Sequence, residues 1–345
     1  MPAARTAMNM GNFAMESMES GDVIAVVIPC YKVRRHVLQV IDAIDDRVSR
    51  IYCVDDACPD GSGDLIEREC RDPRVVVVRH AVNQGVGGAM LSGYQRAVTD
   101  GATIVVKLDG DGQMDPALLY QFVRPIMMGE ADYTKGNRFW DLGEIRQMPW
   151  LRRIGNLGLS FMSKASTGYW DVFDPTNGYT AIHARIIERL PVNSISRRYF
   201  FETDMLFRLN TMRAVVVDVP MDAKYGDEES SLKISRVIGE FSLKHSKNFL
   251  KRIVYRYYLR DLSVASLELL AAMVLLSGGL VYGGVHWWIA SRSGVAASTG
   301  TVVLPTLAII SGLQFLLAFL GYDIQTVPKR PIHRSLSRVS PAARG

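Results

Sequence analysis

Apolar and polar positions divide this chain into two regimes. From Asp22 onward, short apolar runs alternate with amphipathic stretches. Val23-Ile24-Ala25-Val26-Val27-Ile28 is continuous, as in a parallel strand buried on both faces, and Pro29 is expected to stop it. Val37, Leu38, Val40, Ile41 and Ile44 then recur at near-helical spacing. Arg50-Ile51-Tyr52-Cys53-Val54 reads as a second strand ending in Asp55-Asp56, and the turn-rich Pro59-Asp60-Gly61-Ser62-Gly63-Asp64 opens a helix through Leu65 and Ile66. Residues 75–78 give a third strand. Asn83-Gln84-Gly85-Val86-Gly87-Gly88 is a glycine-rich turn into a helix carrying Ala89, Leu91, Tyr94 and Ala97, and a fourth strand runs from Ile104 to Asp109. Strands alternating with helices predict an α/β fold with a doubly wound sheet, whose ligands sit at the carboxyl ends of the strands.

The second regime begins near Lys233. Lys233, Arg236, Lys244, Lys247 and Lys251 share one helical face, while Ile234, Val237, Ile238, Phe241 and Phe249 favour another. Arg252, Arg256 and Arg260 extend the basic run among Tyr255, Tyr257 and Tyr258, a pattern expected of helices lying in a membrane interface. Residues 267–290 and 302–322 are then apolar enough and long enough to span a bilayer, with Trp287-Trp288 as an interfacial belt. Basic residues crowd before the first span and, at Lys329, Arg330, Arg334 and Arg338, after the second. The positive-inside bias predicts an inner (plasma) membrane protein with two spans, its large domain and both ends in the cytoplasm. The expected organisation is a disordered tail at 1–21, the α/β domain at 22–232, basic amphipathic interfacial helices at 233–261, a transmembrane hairpin at 262–325 and a basic cytoplasmic tail at 326–345.

Composition narrows this further. A length of 345 residues holds about two domains, and a net charge of +5 is too mild to imply nucleic acid. Cys30, Cys53, Cys58 and Cys70 lack C-x-x-C pairing and read as reduced thiols, with neither a disulfide framework nor a zinc site. Residues 1–21 carry no apolar core of a signal peptide.

The chemistry concentrates in Ile104-Val105-Val106-Lys107-Leu108-Asp109-Gly110-Asp111-Gly112-Gln113-Met114-Asp115-Pro116. If the strand continues to Asp109, residues i and i+2 share a face and the carboxylates of Asp109 and Asp111 converge. Gly110 and Gly112 allow a tight turn and leave room for a ligand. Mg²⁺ and Mn²⁺ take oxygen ligands, usually one or two carboxylates together with substrate phosphates. Asp109, Asp111 and the Gln113 amide oxygen suit that task, and Asp115 with Pro116 reads as a helix cap. Polar residues gather at the other strand ends too, at Pro29 to Lys32, at Asp55 with Asp56, and at Asn83 to Gly88. Neither G-x-G-x-x-G after the first strand nor G-x-x-x-x-G-K-[ST] occurs, so a Rossmann dinucleotide site and a P-loop are unsupported.

These segments resemble family 2 glycosyltransferases of the GT-A fold: Val26-Val27-Ile28-Pro29-Cys30-Tyr31, Val54-Asp55-Asp56-Ala57-Cys58-Pro59-Asp60-Gly61-Ser62, Asn83-Gln84-Gly85-Val86-Gly87-Gly88-Ala89 and Leu108-Asp109-Gly110-Asp111-Gly112-Gln113. Lys135-Gly136-Asn137-Arg138, Leu151-Arg152-Arg153, Asp174-Pro175-Thr176-Asn177-Gly178-Tyr179, Phe200-Phe201-Glu202-Thr203-Asp204, Tyr225-Gly226 and Ser230-Ser231-Leu232-Lys233 make it similar to the polyprenyl-phosphate glycosyltransferases in particular, the group that includes dolichol-phosphate mannose synthase and bacterial undecaprenyl-phosphate sugar transferases. The resemblance spans roughly 22–235. It implies a mixed GT-A sheet with helices on both faces, a nucleotide-sugar donor, a divalent cation (Mg or Mn) and a polyprenyl phosphate acceptor. It assigns Pro29, Tyr31 and Asp56 to the base pocket and Asp109, Asp111 and Gln113 to the metal. Asp55, Asn83, Gly85 and Gly110 complete the expected substrate-binding set along the same edge. Lys32 stands where the family commonly has Asn, and Gly87 where many members carry Lys.

Charge supplies the remaining expectations. A leaving diphosphate needs cationic partners, for which Arg138, Arg152, Arg153 and Lys233 are candidates. Asp111, Glu202, Asp204 and Asp174 form the candidate catalytic set. A lipid phosphate with a second pKa near 6 is already anionic at neutral pH, so Glu202, Asp204 and Asp174 are expected to orient substrate instead of removing a proton. The expected reaction is inverting transfer of a hexose, of the UDP-glucose or GDP-mannose type, to undecaprenyl phosphate for cell-envelope glycan assembly or modification. Transfer to a lipid-linked saccharide and a non-catalytic membrane scaffold are the rivals. No Q-x-x-R-W of processive synthases occurs, and the oligomeric state is left open, a homo-oligomer included.

Overall fold

The computed structural model describes residues 21–140, 150–222 and 234–337. The N-terminal tail, the Tyr225-Gly226 and Ser230 to Lys233 motifs, Arg338 and the side chains of Arg152 and Arg153 lie outside the described residues.

The elements run in chain order as β1 (Ile24–Cys30), α1 (Val37–Asp42), β2 (Arg50–Asp55), α2 (Ser62–Glu69), β3 (Val75–Arg79), α3 (Val86–Thr99), β4 (Ile104–Lys107), α4 (Leu119–Met127), β5 (Tyr133–Asn137), α5 (Trp150–Thr167), β6 (Thr180–His183), α6 (Ala184–Ile187), α7 (Phe201–Met212), β7 (Val216–Pro220), α8 (Ile234–Val254), α9 (Val264–Ser293) and α10 (Thr299–Gln325). Among the described residues seven strands form one mixed sheet in the order β3-β2-β1-β4-β6-β5-β7. β6 is antiparallel to both of its neighbours. The continuous apolar run of β1 is explained by its two faces: Ile24, Val26 and Ile28 join the core beneath α1 and α4, while Ala25 and Val27 join the core beneath α3 and α7.

Two strand ends differ from expectation. Pro29 does not stop β1, because it pairs in register with Val54 of β2. On its other side β1 pairs with β4 only as far as Val27, opposite Lys107, so the missing Pro29 N–H leaves no gap in that ladder. β4 ends at Lys107, two residues early, so Asp109 lies beyond the strand and Asp111 in the turn that follows. Strand alternation therefore does not set those carboxylates; within the turn Asp111 Oδ1 accepts from the Gln113 N–H at 2.9 Å. The expected cap is present, since Asp115 accepts from the Ala117 N–H and Pro116 opens a short 3-10 turn before α4. All four cysteines are free thiols.

α9 and α10 are long and apolar enough to cross a membrane. Their 30 and 27 residues span about 45 and 40 Å at a rise of about 1.5 Å per residue. They pack on each other and leave much of their apolar surface open, with Leu280 62% and Leu304 64% exposed. The basic segment before them also contacts the domain: α8 packs on α5 and α7, burying His245, Asn248 and Arg252. Arg252 and Arg256 turn inward to Asp323 of α10. After α10 the chain returns to the domain. The Ile332 and His333 amides and the His333 ring all reach the buried carboxylate of Asp132, and Val327, Ile332 and Leu336 pack against the core.

Candidate active site

Sheet register builds the centre of the site. Lys107 of β4 lies opposite Thr180 of β6, Thr180 opposite Lys135 of β5, and Lys135 opposite Asp218 of β7. Residues paired in register share a face, so four polar side chains form one row beneath the carboxyl edge of β4. Lys107 is 2% exposed, with Nζ 2.9 Å from Asp109 Oδ1 and 3.3 Å from Glu202 Oε1. Burial pulls its pKa down, but the Asp109 and Glu202 carboxylates outweigh this and raise it above the ordinary lysine value. Gly178 lies against this triad; a Cβ there would sit 2.7 Å from Asp109 Oδ2. Lys135, with no exposure at all, is brought by burial down to about 8, against the attraction of Asp174 and Glu202. Burial likewise pushes Asp218 up to about 6. Its Oδ2 accepts from the Phe173 N–H at 3.0 Å, while Oδ1 finds no donor among the described residues.

Asp174 sits above the end of β5, fully buried, and takes the Arg138 guanidinium through Nε at 2.7 Å and Nη2 at 3.1 Å. Arg138 keeps 34% of its side chain exposed. Glu202 and Asp204 stand in the first turn of α7 with different partners. Glu202 faces Lys107, whereas Asp204 accepts from the Ser196 N–H at 2.8 Å and from Asn248 Nδ2 of α8 at 3.2 Å. Asp204 thus ties α7 to the loop before it and to the basic helix.

The strand ends on the other side of β4 form a second group. Tyr31 is 45% exposed beyond β1. Lys32 adopts φ +60°, a left-handed conformation that Asn tolerates better than Lys, which gives a physical reason for the family's usual Asn at this position. Asp56 is buried and turned toward the glycine-rich loop. It accepts from the Gln84 N–H at 2.8 Å, the Gly85 N–H at 2.7 Å and His80 Nδ1 at 2.7 Å, while Asn83 donates to its carbonyl. Asp55 caps the Cys58 N–H at 2.8 Å. Gly85 and Gly87 have a steric cause, since a Cβ on either would lie 2.5 Å from the backbone oxygen of Arg197 or Ser196. A lysine at position 87 would collide with that segment. Gly110 packs against Ile28 and Val33.

Asp109, Asp111 and Gln113 thus open at the carboxyl edge, with 28% of the Asp109 side chain exposed. No group of three or more His, Cys, Asp or Glu that could hold a metal occurs among the described residues. Two carboxylates and an amide fit a hard cation that completes its shell with substrate phosphates. Lys107, Lys135 and Asp218 were absent from the sequence-based site. Their signal was a charge inside a strand, most visibly Lys107 after Ile104-Val105-Val106.

A doubly wound mixed sheet with an acidic turn after its central strand and cations gathered beside it defines a GT-A-type glycosyltransferase domain. Residues 25–190 match the model of glycosyl transferase family 2, and the chain carries a domain of that family. Polyprenol monophosphomannose synthase of Mycolicibacterium smegmatis is 28% identical over 219 residues, covering 62% of this chain and 80% of that protein. Undecaprenyl-phosphate mannosyltransferase of Micrococcus luteus is 28% identical over 221 residues, 63% of this chain and 90% of that protein. Among solved structures, glucosyl-3-phosphoglycerate synthase from Mycobacterium tuberculosis in complex with Mg²⁺ and uridine diphosphate matches with a TM-score of 0.51 over 69% of this chain and 83% of that one. At 18% identity this likeness is one of fold.

Proposed function

We propose that this protein is a membrane-bound inverting glycosyltransferase that moves a hexose from a nucleotide sugar, of the UDP-glucose or GDP-mannose type, to a polyprenyl phosphate such as undecaprenyl phosphate. Its product would serve cell-envelope glycan assembly or modification. The observation that carries this reading is the union in one chain of an acidic turn at the carboxyl edge and an apolar hairpin docked on the same domain through Asp323. The acceptor class is supported by the names of the mycobacterial and micrococcal relatives. The hairpin would hold the domain at the membrane surface, where a lipid phosphate lies, and the basic flanks favour the cytoplasmic side.

Asp109, Asp111 and the Gln113 amide oxygen would hold Mg²⁺ or Mn²⁺, which when bound neutralises charge developing on the leaving diphosphate. Lys107 would aim the Asp109 carboxylate through their 2.9 Å ion pair, and Glu202 would fix Lys107 from the other side. Pro29, Tyr31, Asp55, Gly110 and the loop bearing Asn83 and Gly85 would frame the nucleoside, with Asp56 fixing that loop. Arg138, set by Asp174, would meet phosphate oxygens together with Arg152, Arg153 and Lys233. An acceptor phosphate is anionic at neutral pH. Its oxygen attacks the anomeric carbon in line without a general base, and Glu202, Asp204 and Asp174 act by positioning.

Membranes containing the full chain, incubated with Mg²⁺ or Mn²⁺, undecaprenyl phosphate and a panel of radiolabelled nucleotide sugars, test this reading. Label from one donor should enter the organic phase and be lost on adding a chelator. No organic-phase label from any donor, while the protein still binds a nucleotide sugar, would overturn the lipid phosphate acceptor.

A further inference from the structure

Where the hairpin meets the domain, Arg213, Arg256 and Arg260 line a cavity of about 290 Å³ together with Ser263 and Tyr322. Three separate elements converge there. Arg213 follows the last residue of α7. Arg256 and Arg260 lie in the π turn Tyr255–Arg260, and Ser263 is the N-cap of α9.

Carbonyl hydrogen bonds hold these guanidinium groups, and Arg256 also reaches the Asp323 carboxylate. Arg213 donates to the Thr326 carbonyl at 2.8 Å, Arg256 to the same carbonyl at 2.7 Å, and Arg260 to the Thr211 carbonyl at 2.7 Å. The carbonyl at the carboxyl end of α10 supplies partial negative charge only. Asp323 is already committed to Arg252 at 2.7 Å and stands 3.4 Å from Arg256. Among the described residues Asp261 is the one acid lining the cavity. The cavity is thus lined by three arginines and one carboxylate, while Asp323, outside the lining, is shared by Arg252 and Arg256, which leaves an excess of two positive charges. Burial, then the neighbouring Arg256 and Arg260, hold Arg213 below the ordinary arginine pKa. Arg213 also has φ +65°, a helix-ending conformation that usually recruits Gly or Asn, so the side chain is retained at a conformational cost.

We propose that this cavity binds the phosphate of an anionic phospholipid headgroup and so fastens the hairpin to the domain. Planar guanidinium groups match phosphate oxygens, and the amino end of α9 adds favourable dipole charge. The ligand source follows from position. Ser263 and Thr326 cap the two hairpin helices on the domain side, the level at which headgroups lie. The site is separate from the proposed reaction, since Glu202 stands at the opposite end of α7 from Arg213, about 16 Å away at about 1.5 Å per residue.

This inference rests on the hairpin lying in a membrane. Flotation of the full-length protein with phosphatidylcholine vesicles tests that premise separately; failure to float would overturn the premise and the site together. For the site itself, the full-length protein in detergent is melted with phosphatidylglycerol, phosphatidylcholine, inorganic phosphate or undecaprenyl phosphate. Phosphatidylglycerol should raise the midpoint by about 3 °C, and phosphatidylcholine and inorganic phosphate should leave it unchanged. Arg260→Gln and Arg213→Gln should each lose most of that rise, whereas Lys247→Gln, an exposed change on α8, should keep it. Arg260 is exposed, so its substitution tests the site without threatening the fold. An equal rise with phosphatidylcholine, a rise that survives Arg260→Gln, or a rise with undecaprenyl phosphate alone would overturn the assignment.

Discussion

Asp109 and Asp323 each face a buried cation, Lys107 at 2.9 Å and Arg252 at 2.7 Å, and their surroundings then diverge. Asp109 keeps 28% of its side chain exposed beside a turn that holds Asp111. Asp323 is 1% exposed and is closed off by Arg252, the Tyr257 hydroxyl at 2.6 Å and the Trp170 indole N–H at 2.9 Å. A carboxylate meant for a ligand is left open on one side. One that joins two parts of a fold is satisfied from all sides, because an unpaired buried charge costs several kcal/mol.

Substitutions at the two places should therefore fail in different ways. The largest effect is expected at the open edge: Asp111→Asn should lower sugar transfer at least about thousandfold, with the melting midpoint of the full-length protein unchanged. A parallel loss of stability would show that the turn is structural. Asp323→Asn should do the reverse. By leaving Arg252 uncompensated it should destabilise the protein by about 3–5 kcal/mol, read by thermal unfolding in detergent, and an unaltered midpoint would remove Asp323 as the joint.

Asp218 sharpens the contrast, since it lies in the row behind the edge yet is incompletely satisfied. Its folded pKa of about 6, against an ordinary 3.8, means that the folded state holds this proton more tightly than the unfolded chain. That contribution is complete below pH 4 and is lost as pH rises through 6. Asp218→Asn should flatten stability between pH 4 and 6 and raise it at pH 7 by roughly 3 kcal/mol; urea unfolding across that range would reveal any slope that persists. The smallest effect is expected from Gly178→Ala, whose methyl would crowd the Lys107 ammonium group first, then Asp109 Oδ2 and Met114. Transfer should fall about tenfold, about 1.4 kcal/mol. Full activity would indicate that Asp109 tolerates displacement.

Local patterns made much of this architecture readable before the structure. The apolar runs of β1, β2, β3 and β4, the Asp115-Pro116 cap and the two long apolar segments are properties of neighbouring residues, so periodicity and composition reveal them. What remained hidden depends on register and long-range closure. Nothing local to Lys107, Lys135 or Asp218 says that β6 will insert antiparallel between β4 and β5 and align them in one row. Likewise the basic run at Arg252 and Arg256 reads as a membrane-facing stripe until Asp323, far along the chain, is brought against it. The glycines at 85 and 87 were legible as a turn, but their tight approach to residues 196–197 was not.

The most direct test compares the intact protein with Asp111→Asn in liposomes containing undecaprenyl phosphate, Mg²⁺ and the active labelled nucleotide sugar. The account predicts label on the lipid with the intact protein, and none with an Asp111→Asn protein that inserts and melts normally. Equal lipid labelling by both proteins would contradict it.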